Sequence, residues 1–154
     1  METIYLCIVI FLLCLAVFDL FVGVSNDAVN FLNSAIGAKV AKFRTVLIIA
    51  SVGVALGAVM SSGMMDVARH GIMQPSQYSF NEVMTIFLAV MVTDVIILDM
   101  FNTLGMPTST TVSLVFELLG GTFILATIKM AGDDSLTYGD LLNTDKALSV
   151  IIAI

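Results

Sequence analysis

Polar groups able to hold an ion stand inside stretches of this chain that are otherwise hydrocarbon-like. The segment "GVSNDAVNFLNSAIG", Gly23 to Gly37, follows directly on about twenty apolar residues. Asp19, Gly23, Asn26, Asn30 and Asn33 recur there at steps of four, three, four and three, which is one helical face, with Asp27 and Ser34 beside it. A second run, "LGMPTSTTVSLVFELLGG", sets Ser109, Thr110, Thr111 and Ser113 in quick succession, and Ser109, Ser113 and Glu117 share a face at i, i+4 and i+8. Asp94 and Asp99 stand in the apolar segment before it, five apart and so about 140° around a helix, where they meet different neighbours. Hydroxyls and helix N-termini suit an oxyanion. Carboxylates and amides suit a hard cation, and Asp19 can share such a cation or a proton with Asp27. An acid inside a membrane span has function as its default explanation, with Asp99, close to the end of its span, evenly open to a structural role.

The composition decides what must position these groups. Of 154 residues 59% are hydrophobic and only 12% charged, against roughly 25% charged in a soluble domain; the mean hydropathy is +1.08. Four apolar segments, Thr3 to Val24, Thr45 to Gly63, Glu82 to Leu104 and Thr108 to Met130, lead to the start of a fifth in "ALSVIIAI". The class is an all-α polytopic membrane protein with four to five transmembrane segments in one membrane domain, residues 1–154, cut at the start of its next span. The first segment is a retained span, because Glu2 replaces the basic n-region of a signal peptide and no small-residue cleavage site closes it. Cys7 and Cys14, seven apart, share its face as small apolar residues. Lys39, Lys42 and Arg44 place the first loop in the cytoplasm and the N-terminus outside. Arg69 and His70 fall on the external side and weigh against that orientation; His70 is an interfacial or loop histidine. The net charge of −6 argues against nucleic acid but not against an anionic substrate.

Length then suggests breaks. A continuous helix from Thr3 to Ala38 would be about 54 Å long, against a hydrocarbon core of about 30 Å. Gly23-Val-Ser25-Asn26-Asp27 is the expected break, with Ser, Asn or Asp capping a new helix that Gly37 ends. Gly105-Met-Pro107 is the second, with Pro107 in the first turn of the helix that follows. Two broken or re-entrant helices carrying small polar residues point to a transporter site for a small ion or anion.

The same residues carry a resemblance. "SNDAVNFLNSAIGAKV" resembles the first signature of the inorganic phosphate transporter family, a Gly-Ala-Asn-Asp-Val-Ala-Asn-like motif ending in Gly-x-Lys. "LGMPTSTTVSLVFELLGG" resembles its second, a Leu-Gly-x-Pro-x-Ser-Thr-Thr-His-Ser-like run, and "MMDVARHGI" resembles the family's loop after the second span. The resemblance implies a secondary transporter moving inorganic phosphate with sodium or protons, not an enzyme, with no cofactor beyond the coupling ion. It implies two halves of inverted topology in a cell (inner or plasma) membrane, so this chain would be the N-terminal half, completed by a missing C-terminal half or a second copy, with homo-oligomerisation open. Carried over by position, Asp27, Ser109, Thr110, Thr111 and Ser113 would bind phosphate, and Asn26, Asn30, Asp27 and Asp19 the cation, with sodium at Asn26, Asp27 and Asn30. Asp94 and Glu117 would be supporting acids. Two departures bear on the coupling ion: Val112 stands where the family often has His, and Gly53-Val54 where many relatives have Phe-Glu, a pair found here as Phe116-Glu117.

Three alternatives compete. Sulfate fits the same donors but offers no P–O–H group to a carboxylate. An intramembrane aspartyl protease would need a Gly-x-Gly-Asp motif, and "TYGD" at Thr137 to Asp140 lies in the acidic loop. A structural subunit would use the acids and hydroxyls only to bind helices together.

Overall fold

The apolar segments fold into helices whose ends follow local chemistry. In the computed structural model, which describes residues 2–62, 71–106, 108–133 and 135–153, α1 runs Glu2–Gly37, α2 Phe43–Val59, α3 Phe80–Leu104 and α4 Thr110–Gly132. One turn, α5 (Tyr138–Leu141), and α6 (Thr144–Ala153) follow. Ser79 starts α3 with a capping box: its hydroxyl accepts the Glu82 N–H at 3.4 Å while Glu82 Oε2 accepts the Ser79 N–H at 2.7 Å. Gly105 ends α3 in the left-handed region, φ 67°, and the Met106 N–H reaches the Phe101 carbonyl at 2.9 Å. Ser109 caps α4 by accepting the Val112 N–H at 3.4 Å.

Helices α1, α3 and α4 are long and apolar enough to cross a membrane, and α2 is a shorter apolar helix. The all-α membrane class holds, but the expected breaks do not. Helix α1 runs unbroken for 36 residues through Gly23–Asp27. Ser25, expected to cap a new helix, donates its hydroxyl back to the Phe21 carbonyl at 2.7 Å, four residues earlier, and so stays within the first one. The length conflict is met by overshoot: from Asp27 to Gly37 the helix continues past the end of α3, about 16 Å at 1.5 Å per residue. The second interruption is real, but it is the turn between α3 and α4, with 25 and 23 residues, rather than a gap within one span. Helix α4 begins at Thr110, and the expected place of Pro107 in its first turn lies outside the described residues, as does "MMDVARH", with Arg69 and His70.

Packing sets α1 and α3 side by side and parallel. Tyr5 meets the Phe80 ring edge-on at 5.5 Å near one end, and Asn26 meets Asn102 at the other. Helix α4 returns antiparallel, with Gly121 against Ile86 and Val90 of α3. The apolar core gathers Ile86, Val90, Val115, Leu118 and Ala126 with Ile72, Met73, Tyr78, Leu141 and Leu142. Those last five close one end of the bundle. Met73 bridges Leu142, the Asn143 N–H donates to the Ile72 carbonyl at 2.9 Å, and the Tyr78 hydroxyl donates to the Leu141 carbonyl at 3.2 Å. At the same end Lys129 holds Glu82 at 3.1 Å and lies over the Tyr78 ring. In the acidic loop Thr137 donates both its N–H and its hydroxyl to Asp140, keeping that carboxyl below its usual range. Helix α2, whose Gly, Ala and Ser content suggests close helix contact, instead leaves a groove against Val24, Ala28, Phe31 and Leu32 of α1, and a Cβ added at Gly53 or Gly57 would meet nothing within 4 Å.

The continuity of α1 has a direct test. Ser25→Pro removes an intrahelical hydrogen bond and clashes with the preceding turn, so it should lower stability by about 3 kcal/mol or more, measured as unfolding in mixed detergent micelles. An effect near zero would restore the break.

Candidate functional site

The polar face of α1 meets the α3–α4 turn, and the contact centres on one buried amide. Asn26 is 1% exposed. Its Nδ2 donates to Asn102 Oδ1 at 2.9 Å, and its Oδ1 accepts the Thr108 N–H at 3.0 Å. Asn102 Nδ2 donates in turn to the Val22 carbonyl at 3.1 Å, and Asn30 Nδ2 to the Thr108 carbonyl at 3.2 Å. Three elements are thereby fixed to one another by groups that would be expensive to bury alone.

This joint sets the register of the next residues. One position after Asn26, Asp27 accepts the Thr110 hydroxyl at 2.8 Å, at the first residue of α4. Above that contact opens a cavity of about 290 Å³ lined by Asp19, Gly23, Val24 and Asp27 of α1, by Asp94 of α3, and by Thr110, Thr111 and Leu114 of α4. Gly23 is buried here, and a Cβ on it would meet Thr110 Cγ2 at 3.5 Å and Leu98 Cδ1 at 3.7 Å, ordinary contact distances. Its role is room at the cavity wall, not freedom to break the helix.

The acids converge. Asp19 of α1 and Asp94 of α3 line the same cavity. Glu117 lies one α4 turn beyond Leu114 of its wall. Its Oε1 accepts the Ser113 hydroxyl at 2.9 Å. Among the described residues, Asp94 Oδ1 and Glu117 Oε2 are buried without a hydrogen-bond partner. Asp99 is exposed and turned to a separate groove with Phe18 and Val22, as the five-residue spacing from Asp94 requires.

Of the residues singled out from sequence, the cavity wall brings together Asp19, Asp27, Asp94, Thr110 and Thr111. Ser109 caps α4, Ser113 is spent on Glu117, and Asn26 and Asn30 tether the turn. Asn102 went unrecognised. Its signal was legible as an amide at the end of an apolar helix, three residues before the glycine that stops it. Among the described residues none that lines the cavity is basic, so an anion entering meets carboxyl groups and hydroxyls, with the N-terminal end of α4 as a favourable partial charge.

If the amide joint acts as one unit, Asn26→Ala and Asn102→Ala should each destabilise by about 1–3 kcal/mol through the partners left unpaired. The double variant should lose less than the sum, with a coupling of about 0.5–3 kcal/mol, read from unfolding titrations in micelles.

Comparison with known proteins bears on what the cavity serves. No curated protein and no solved structure matches the chain significantly. The family model described as "Phosphate transporter family" matches residues 23–154, from the start of the Asn-Asp motif to the end of the chain. With most of its length matched, and with both polar motifs inside the match, the chain belongs to the phosphate transporter family.

Proposed function

We propose that the protein carries inorganic phosphate across a cell membrane by secondary active transport, coupled to sodium or protons. Phosphate would enter the cavity between Asp27 and the Thr110–Thr111 end of α4. The observation that carries this is the cavity's lining: two hydroxyls at a helix N-terminus face Asp19, Asp27 and Asp94, and among the described residues no basic side chain stands with them. Such a wall repels an anion unless positive charge arrives with it. A cation-coupled carrier has that property, because neither ion binds well alone.

The residues divide accordingly. Thr111 donates to a phosphate oxygen, while Thr110, whose hydroxyl proton goes to Asp27 Oδ2, orients that carboxylate. Asp27 uses Oδ2 for Thr110 and keeps its other oxygen for a P–O–H group, which favours phosphate over sulfate. Asn26, with both ends of its amide engaged by Asn102 and Thr108, holds the turn at the correct height, and Asn30 donates its Nδ2 to the Thr108 carbonyl with its Oδ1 left for the cation. Ser109 and Ser113 act through α4, the first by capping it and the second by orienting Glu117. The exposed apolar flanks of α1 and α2 face lipid, or a second, inverted half that supplies the opposite wall of the site. Lys39, Lys42 and Arg44 put the α1–α2 loop in the cytoplasm, with the N-terminus outside.

In the complete transporter in vesicles, Asp27→Asn and Thr110→Val should insert and fold like the wild type yet lose at least tenfold in phosphate uptake. Excess sulfate should not compete. Normal uptake by Asp27→Asn would remove Asp27 from the site; poor assembly of both variants would favour a structural role for these residues.

A further inference from the structure

We infer that Gly23 sets the size of the anion the cavity admits: the bare Cα between Asp19 and Asp27 seats one anion oxygen, and a side chain there would fill the seat. This rests on the cavity being the phosphate site; the residue that fixes its size limit is what it adds.

The backbone gives no reason for a glycine at this position. Gly23 lies within unbroken α1, and among the described residues the glycine with a positive φ is Gly105. Gly23 therefore adopts no conformation denied to Ala, and in a helix interior Gly is the less stable of the two. Packing gives no reason either. A Cβ on Gly23 would meet Thr110 Cγ2 at 3.5 Å and Leu98 Cδ1 at 3.7 Å, so neither neighbour has to move. Gly53, Gly57 and Gly120 also have room for a Cβ, but they stand away from the cavity. Among the described residues Gly23 is the one glycine in its wall, and it is buried.

What the missing side chain leaves is space in a particular place. Asp19, Gly23 and Asp27 follow at steps of four on one face of α1, and all three line the cavity. Gly23 thus separates two carboxyl groups, each one turn away. Its absent Cβ would point towards Thr110 and Leu98, across to the start of α4 and not out of the bundle. Thr110 also gives its hydroxyl to Asp27 Oδ2. An anion that accepts from Thr111 and offers a P–O–H group to the other oxygen of Asp27 places a further oxygen over Gly23. A methyl group there would occupy that seat and leave the Thr110–Asp27 bond in place. Selection at this point is by size. Phosphate and arsenate are both tetrahedral and carry the same charges and O–H groups, but As–O bonds are longer than P–O bonds. Hydrogen bonding does not separate them; the depth of the seat does.

The test compares the wild type with Gly23→Ala, using the complete protein in vesicles and reading phosphate uptake and its inhibition by arsenate. Gly23→Ala should raise the KM for phosphate at least threefold and the inhibition constant of arsenate at least threefold beyond that. Its thermal unfolding midpoint in micelles should equal or exceed that of the wild type. Unchanged constants for both anions would overturn the size limit. An equal loss for both, with a lowered midpoint, would make Gly23 a packing residue and overturn it too. Either result leaves phosphate transport standing. A wild type that takes up no phosphate would remove the phosphate reading, and the size limit with it.

Discussion

The architecture depends on one buried side chain. Asn26 is nearly inaccessible, and its amide uses both ends, donating to Asn102 on α3 and accepting from the backbone of Thr108 in the turn. An amide buried without those bonds would cost about 1–3 kcal/mol, so helix, turn and partner helix stand or fall together. Apolar packing along α1 and α3 tolerates sliding, because one stripe of Val, Leu and Ile fits another at several heights. The Asn26 joint does not. It selects the height at which Asp27 meets Thr110, and the cavity follows from that contact.

Charge is the second constraint. Asp19, Asp27 and Asp94 line a cavity in which, among the described residues, no basic side chain balances them. Soluble anion sites usually answer negative charge with Arg or Lys. Here the balancing charge is mobile in the proposed scheme, and that mobility is what links the movement of one ion to the other. Lys129 is kept at the opposite end of α4 with Glu82, where it braces the bundle and leaves the cavity acidic. The family membership and the geometry thus meet at one place, since both polar motifs of the matched segment abut this cavity.

Much of this was legible in the sequence, for physical reasons that also explain what was not. Helical periodicity placed Asp19, Gly23 and Asn26 on one face, and they do share it. The Asp94–Asp99 spacing separated two acids that the fold also separates. The break at Gly23–Asp27 failed because length and polarity were treated as costs to be relieved within the helix. They are relieved by other elements: the α3–α4 turn satisfies the amides, Ser25 bonds back to Phe21, and the excess length runs past α3. Partners that lie 76 to 83 residues away in sequence leave no local trace. For the same reason the bonds that Asn26 and Asn30 make to Asn102 and Thr108 have no local sign in the sequence, and neither has the part that Asn102 plays in them.

The account turns on where the anion sits. Solid-state NMR of the complete protein in lipid, measuring ³¹P–¹⁵N dipolar coupling between bound phosphate and backbone amides labelled at threonine, addresses that directly. The account predicts dephasing at Thr110 and Thr111 that disappears in Asp27→Asn. Coupling of bound phosphate to other labelled sites, with none at the start of α4, would contradict it.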